Sequence, residues 1–206
     1  MSASPTAGWR AEDLIGGHII LDFLNTTGGR GKARDGDRLA EYDDLLDWSV
    51  AATLLRAGEA ATLARAAGNR PEAAAAQLCR ATGWREALHA VLVAVQTSAP
   101  LPETARETLE AVIRESQNDA RLGPGGAGLA WQADPAEPLA LPLTRLALAA
   151  PEFLTGPDLS RLRTCERCSW MFVDRGRGRA RRWCSMSLCG NRAKAARHYA
   201  RTRQKG

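Results

Sequence analysis

The chain has 206 residues, 45% of them apolar and 25% charged, which supports a packed core and excludes a wholly disordered protein. No stretch approaches the roughly 18 consecutive apolar residues of a membrane-spanning helix. The N-terminus, Met1 to Arg10, lacks the basic flank and apolar run of a secretory signal, so a cytoplasmic protein with no membrane contact is expected. The net charge of +5 is unevenly divided: residues 161–206 carry 14 Lys and Arg against only Glu166 and Asp174, or +12, and the other 160 residues carry 14 against 21 acids, or −7. An acidic body joined to a basic module suggests two tasks on one chain, with the basic part facing a polyanion.

The segment from Leu14 to Gly29 starts apolar and ends in turn residues, and its periodicity leaves a strand and a short buried helix both open. Within it Asp22, Asn25 and Thr26 are polar residues in an apolar context. They can line a ligand pocket near His18 or Arg30, or Asn25 or Thr26 can cap a helix or satisfy buried backbone groups. Gly28, Gly29, Gly31 and Gly36 mark a loop. Leu39, Tyr42, Leu46, Val50 and Leu54 then recur at helical spacing. A short alanine-rich helix is predicted over Glu59 to Ala67, stopped by Gly68-Asn69. Pro71 suits the first turn of a longer helix reaching about Thr97, with Ala74, Leu78, Ala81, Trp84, Leu88, Val91 and Val95 inward. Cys79, among alanines in that helix, is expected to be buried and inert. Pro102 and Glu103 open another helix, ahead of Leu109, Val112 and Ile113. Arg121 to Gln132, with its glycine-rich centre, predicts a small hairpin. Leu139 to Leu154 is helical in pattern, broken or kinked by Pro142 and Pro151. Gly156-Pro157 marks a boundary. Residues 1–156 are thus expected to form a mainly α domain with a small β-hairpin, and residues 157–206 a second domain.

Four of the five cysteines, Cys165, Cys168, Cys184 and Cys189, follow a C-x2-C-x15-C-x4-C spacing. Without an export signal, such a cluster points to metal rather than disulfides. Four thiolates close the coordination shell, so one structural zinc ion is expected. The two-residue gap aims the first two sulfurs at one point. Trp170-Met-Phe-Val173 is a short β-prone run, Arg175-Gly-Arg-Gly-Arg179 a turn, and Ala180 to Trp183 a candidate second strand that returns Cys184. Cys189-Gly190-Asn191 opens a helix. Knuckle, hairpin and helix in this order describe a treble-clef-like zinc finger. A segment this short with few large apolar side chains folds only marginally alone, and zinc contributes about 10–16 kcal/mol in comparable peptides.

The basic residues surround this centre. Lys194, Arg197 and Arg201, continued by Lys205, share a helix face, while Arg177, Arg179, Arg181 and Arg182 join Arg175 in and beside the turn. Guanidinium groups pair with phosphate in bidentate fashion, so these positions, with Arg192, are the candidate DNA contacts. Asn191 and Arg192 can read bases from the helix start. Alternatively, Asn191 shapes the turn and Arg192 braces Asp174 or the thiolates. Trp170, Phe172 and Trp183 are expected to form the finger's small core, and His198 to lie on its surface.

The run Trp183-Cys-Ser-Met-Ser-Leu-Cys189-Gly-Asn-Arg192-Ala-Lys194 resembles the signature of CGNR zinc-finger proteins. Cys165-x2-Cys168-Ser-Trp170-Met-Phe172-Val-Asp174, followed by Arg181-Arg182, is similar to the same family's knuckle and hairpin. Leu21-Asp22-Phe23-Leu24-Asn25-Thr26 resembles the opening motif of the ABATE domain that precedes this finger. The resemblance implies a stress-induced transcription regulator. The expectation is therefore a DNA-binding protein whose helical domain senses a small-molecule effector. The alternatives are an adaptor that docks an acidic partner through the finger, and an enzyme using the N-terminal domain. The chain contains no P-loop, dinucleotide fingerprint or nucleophile elbow, and an enzyme is not expected. The alanine-rich helices offer an interface for a homodimer.

Overall fold

The computed structural model describes residues 8–125 and 128–196. Gly126 and Ala127 of the hairpin turn lie outside the described residues, as do Arg197, His198, Tyr199, Arg201 and Lys205. Six helices make the body: α1 (Ile19–Leu24), α2 (Tyr42–Ala51), α3 (Ala57–Asn69), α4 (Pro71–Thr97), α5 (Glu103–Asn118) and α6 (Leu141–Thr155). Between α5 and α6 lies the antiparallel ribbon of β1 (Ala120–Gly125) and β2 (Gly128–Ala133). A second pair, β3 (Leu162–Thr164) and β4 (Met171–Val173), belongs to the cysteine module, and residues 191–196 are helical.

The ambiguous opening segment is the helix α1. His18 caps it, its Nδ1 accepting the Ile20 N–H at 3.4 Å, and Ile20, Leu21, Phe23 and Leu24 are fully buried. Helix α3 does not stop at Gly68-Asn69 but includes both. Pro71 sets the break, because its ring pushes the preceding residue out of helical geometry, and Arg70 sits at φ −140°, ψ 63°. Helix α4 spans the predicted range and lies at the centre of the body, with Ala74, Ala81, Trp84, Leu88 and Val91 buried. Val95, expected inward, is 39% exposed near the helix end. Cys79 is exposed rather than buried, since a residue about 100° round from Leu78 falls between the packed rows. Helix α6 is not broken: Pro142 falls in its first turn, where no helical N–H is needed, and Pro151 near its end deprives only the Ala147 carbonyl.

Phe23 sits at the heart of the core, its ring centroid 5.2 Å from that of Trp48 and 6.3 Å from that of Trp84. The same apolar cluster takes in Leu162, Met171 and Val173 from the cysteine module. Alternation along β4 explains this. Met171 and Val173 face the helical body, while Trp170 and Phe172 face a second cluster built with the four buried cysteines. The expected strand over 180–183 does not form. Its place beside β4 is taken by β3, whose Leu162 is pinned in the core, and the 180–183 segment makes a single backbone contact with the knuckle, Glu166 N–H to the Arg182 carbonyl at 2.9 Å.

Candidate metal centre and basic surface

The knuckle is closed by the Cys165 N–H donating to the Trp170 carbonyl at 2.9 Å, which turns Cys165 and Cys168 toward one point. Cys189 arrives on a single wide helical turn, Met186–Gly190, in which the Gly190 N–H reaches the Ser185 carbonyl five residues back at 2.9 Å. A Cβ at 190 would lie 2.7 Å from the Met186 sulfur, so a larger residue there would displace that half-exposed side chain. The four sulfurs lie within 4.8 Å of one another and are buried. Cys168 Sγ and Cys184 Sγ are 3.7 Å apart, far beyond a disulfide bond. That spacing fits the roughly 3.8 Å edge of a tetrahedron with Zn–S bonds of about 2.3 Å.

The electrostatics of the cluster also call for a cation. The Cys165 thiol is held well below its ordinary value by hydrogen bonds from Cys168 and Cys184. Cys168 is pushed up to about 12 by donating to Cys165, and Cys184 is pushed up by the same two neighbours. One thiolate therefore forms readily and further ones are resisted. A divalent cation reverses that balance and deprotonates the remaining thiols. Four cysteines would fill the coordination shell of a zinc ion, which would then serve to hold the structure together.

The N-terminal motif grips this centre from behind. The Asn25 side chain donates to the Met171 carbonyl at 2.8 Å and accepts the Met171 N–H at 2.9 Å. Trp170 Nε1 donates to the Thr27 carbonyl at 3.1 Å, and Lys32 Nζ to the Cys165 carbonyl. Gly29, at φ +92°, lets the chain pass the Trp170 ring, where a Cβ would come within 2.7 Å. Thr26 donates to the Phe23 carbonyl and accepts from Arg85. Asp22 accepts the Gly16 N–H at 2.7 Å, and burial raises its carboxyl to about 6. All three candidate pocket residues are thus engaged in internal hydrogen bonds, and none lines the clefts described below.

The candidate DNA contacts divide. Arg177, Arg179 and Lys194 are exposed and make no ion pair among the described residues. Arg181 lies 4.1 Å over the Phe172 ring and donates to the Trp183 and Cys184 carbonyls. Arg182 forks onto Glu166, whose carboxyl it holds below the usual range, and sits over the Trp183 ring. Arg192 is half-buried against the Leu188 and Gly29 carbonyls and does not brace Asp174. Asp174 instead accepts the Gly176 and Arg181 N–H groups, which hold its carboxyl below the usual range. Arg197 and Arg201 lie outside the described residues.

The profile of the ABATE family, described as "Putative stress-induced transcription regulator", matches residues 17–157. That of the CGNR zinc finger matches residues 161–202. No curated protein matches the chain. No helix among the described residues is long and apolar enough to cross a membrane. With the first profile covering well over half of its length, the chain belongs to the ABATE family and carries a CGNR zinc finger whose Cys165, Cys168, Cys184 and Cys189 are positioned to bind one zinc ion.

Proposed function

We propose that this protein regulates transcription by binding duplex DNA through the basic surface that the zinc centre organises. The observation that carries the proposal is the charge of residues 161–206, 14 basic residues against two acids, on a scaffold that holds Arg177, Arg179 and Lys194 exposed and without ion pairs among the described residues. Phosphate contacts of this kind supply affinity and register, and base contacts near the start of the last helix, from exposed Asn191, would supply sequence preference. The helical body is assigned to sensing. A cleft of about 350 Å³ lined by Gln117, Ala120, Trp131, Leu148 and Pro151 is of a size that suits a small apolar effector.

The test is a titration of the intact, zinc-loaded protein into duplex DNA between about 50 and 200 mM salt. Binding should weaken steeply, with the log–log slope counting the phosphates neutralised. Absence of a mobility shift at the lowest salt would eliminate the proposal. An effector would show itself as a change in the DNA affinity of the intact protein on adding a metabolite extract.

A further inference from the structure

We propose that the cleft between β3 and the loop after β4 seats the phosphodiester backbone of a nucleic-acid strand, with Arg161, Arg163 and Arg177 as its contacts. This rests on the DNA-binding function proposed above and locates it on a part of the surface that the pattern of the C-terminal helix does not indicate. The cleft has a volume of about 730 Å³ and is lined by Arg161, Arg163, Arg175 and Arg177 with a single acid, Asp174. That volume is several times larger than a single phosphate ion fills.

Leu162 is 3% exposed and fixed in the main core, so its neighbours Arg161 and Arg163 project outward from the same face of the chain. The Arg163–Phe172 pairing within the β3–β4 ladder, and the Asp174 N–H bonded to the Arg161 carbonyl at 2.9 Å, lock that wall to the next one. Asp174 is occupied in shaping the loop, accepting the Gly176 N–H at 3.1 Å and the Arg181 N–H at 2.9 Å. Arg175 is tied to Asp158. Arg161, Arg163 and Arg177 make no ion pair among the described residues, although Arg161 and Arg163 feel the charges of Asp158 and Asp174, and all three line one trough. Gly178 lies in open space on its rim, where the absence of a side chain lets a phosphate come close to the backbone. By contrast the exposed Arg181 and Arg182 and the half-buried Arg192, which the sequence marks equally, already engage carbonyls, rings and Glu166.

The test compares three full-length, zinc-loaded proteins: the parent, Arg161→Ala/Arg163→Ala, and a control, Arg65→Ala/Arg114→Ala, that removes the same charge from exposed helical positions. The salt slope of duplex binding is measured for each. Loss of two phosphate contacts should reduce the slope by about 1.8, and the control should match the parent. Inorganic phosphate at constant ionic strength should leave the parent's affinity unchanged. If the parent binds DNA and the cleft variant keeps its slope, this inference is overturned while the DNA-binding function stands. If the parent shows no salt-dependent binding, both fall. Displacement of the parent, but not of the cleft variant, by millimolar phosphate would assign the trough to a free anion and overturn the inference. Unchanged zinc content and melting temperature in the variant exclude misfolding as the cause of any loss.

Discussion

The carboxamide of Asn25 pairs with both backbone groups of Met171, 146 residues away, donating to its carbonyl at 2.8 Å and accepting its N–H at 2.9 Å. Asn25 is 2% exposed, and Met171 is the strand residue next to the Trp170 that backs the zinc knuckle. Asn25→Ala would leave a buried donor and a buried acceptor unpaired, at about 1–3 kcal/mol each. The variant should unfold at markedly lower urea concentration and surrender zinc faster to a chromophoric chelator. Asn25→Asp should be nearly as damaging, since it keeps the acceptor but sets a carboxylate against the Met171 carbonyl. A parent-like midpoint in both variants would show that this pair does not join the two parts of the chain.

Because the grip runs both ways, removing zinc should be felt in the helical body. Trp170 donates to the Thr27 carbonyl and Lys32 to the Cys165 carbonyl, so loss of the sulfur cluster frees the segment after α1. Chelation of the full chain should lower its melting temperature and change the near-ultraviolet circular dichroism of Trp170 and Trp183. Zinc affinity should fall as pH falls, because the thiols compete with protons for the same lone pairs. A chelated protein with the parent's melting curve would contradict this coupling.

Much of this arrangement is legible in the sequence where chemistry dictates spacing. The four zinc ligands follow from a two-residue gap and a return pair, and α4 from Pro71 and the rows through Trp84 and Leu88. The pairing of β3 with β4 is not legible, since Leu162-Arg-Thr164 is too short for periodicity and acquires strand character only from the core that holds Leu162. That Asn25 can satisfy buried backbone groups is legible, but which backbone it satisfies escapes for a related reason. A polar residue in an apolar run signals burial with a partner, but the partner lies at the far end of the chain. Charge counting marks residues 161–206 as basic, yet it weighs Arg182 and Arg163 alike, and only the position of Glu166 separates a guanidinium with an ion-pair partner from one with none among the described residues.

Asp22 supplies a pH dependence of unusual sign. Burial raises its carboxyl to about 6, against the downward pull of the Gly16 N–H. The unfolded chain ionises near the ordinary value of 3.8, so between these limits the folded form holds the extra proton. Stability from this group is therefore present at low pH, falls as pH rises through that window, and stays lower above it. Asp22→Asn retains an oxygen for the Gly16 N–H and removes the buried charge. It should stabilise the protein by up to about 3 kcal/mol at pH 8, with the advantage shrinking to about half of that at pH 5. Denaturation of parent and variant side by side at the two pH values gives the difference directly, and an advantage that grows toward acid would refute the assignment.

Arg85 ties the loop after α1 to the central helix. Its guanidinium is 3% exposed and donates to Thr26 Oγ1 at 2.8 Å, to both Asp37 oxygens and to Glu86. Burial alone would raise the Asp37 carboxyl, but the Arg85 hydrogen bonds, the Leu39 N–H and the charges of Arg85 and Arg34 together outweigh it and hold the group below its ordinary value. The Asp37 side chain is 42% exposed and can turn to water once its partner is gone. Arg85→Leu should therefore cost about 2 kcal/mol, less than the 3–5 kcal/mol typical of orphaning one member of a fully buried pair. Arg85→Lys should recover little, because a point charge cannot fork onto Asp37 and reach Thr26 together. The more telling measurement is zinc exchange. The Arg85 anchors, Thr26 and Asp37, bracket the strap that carries Thr27 and Lys32 to the knuckle, so loosening them should quicken metal loss even where overall stability is only modestly reduced. Parent-like exchange kinetics in Arg85→Leu would confine its role to the helical core.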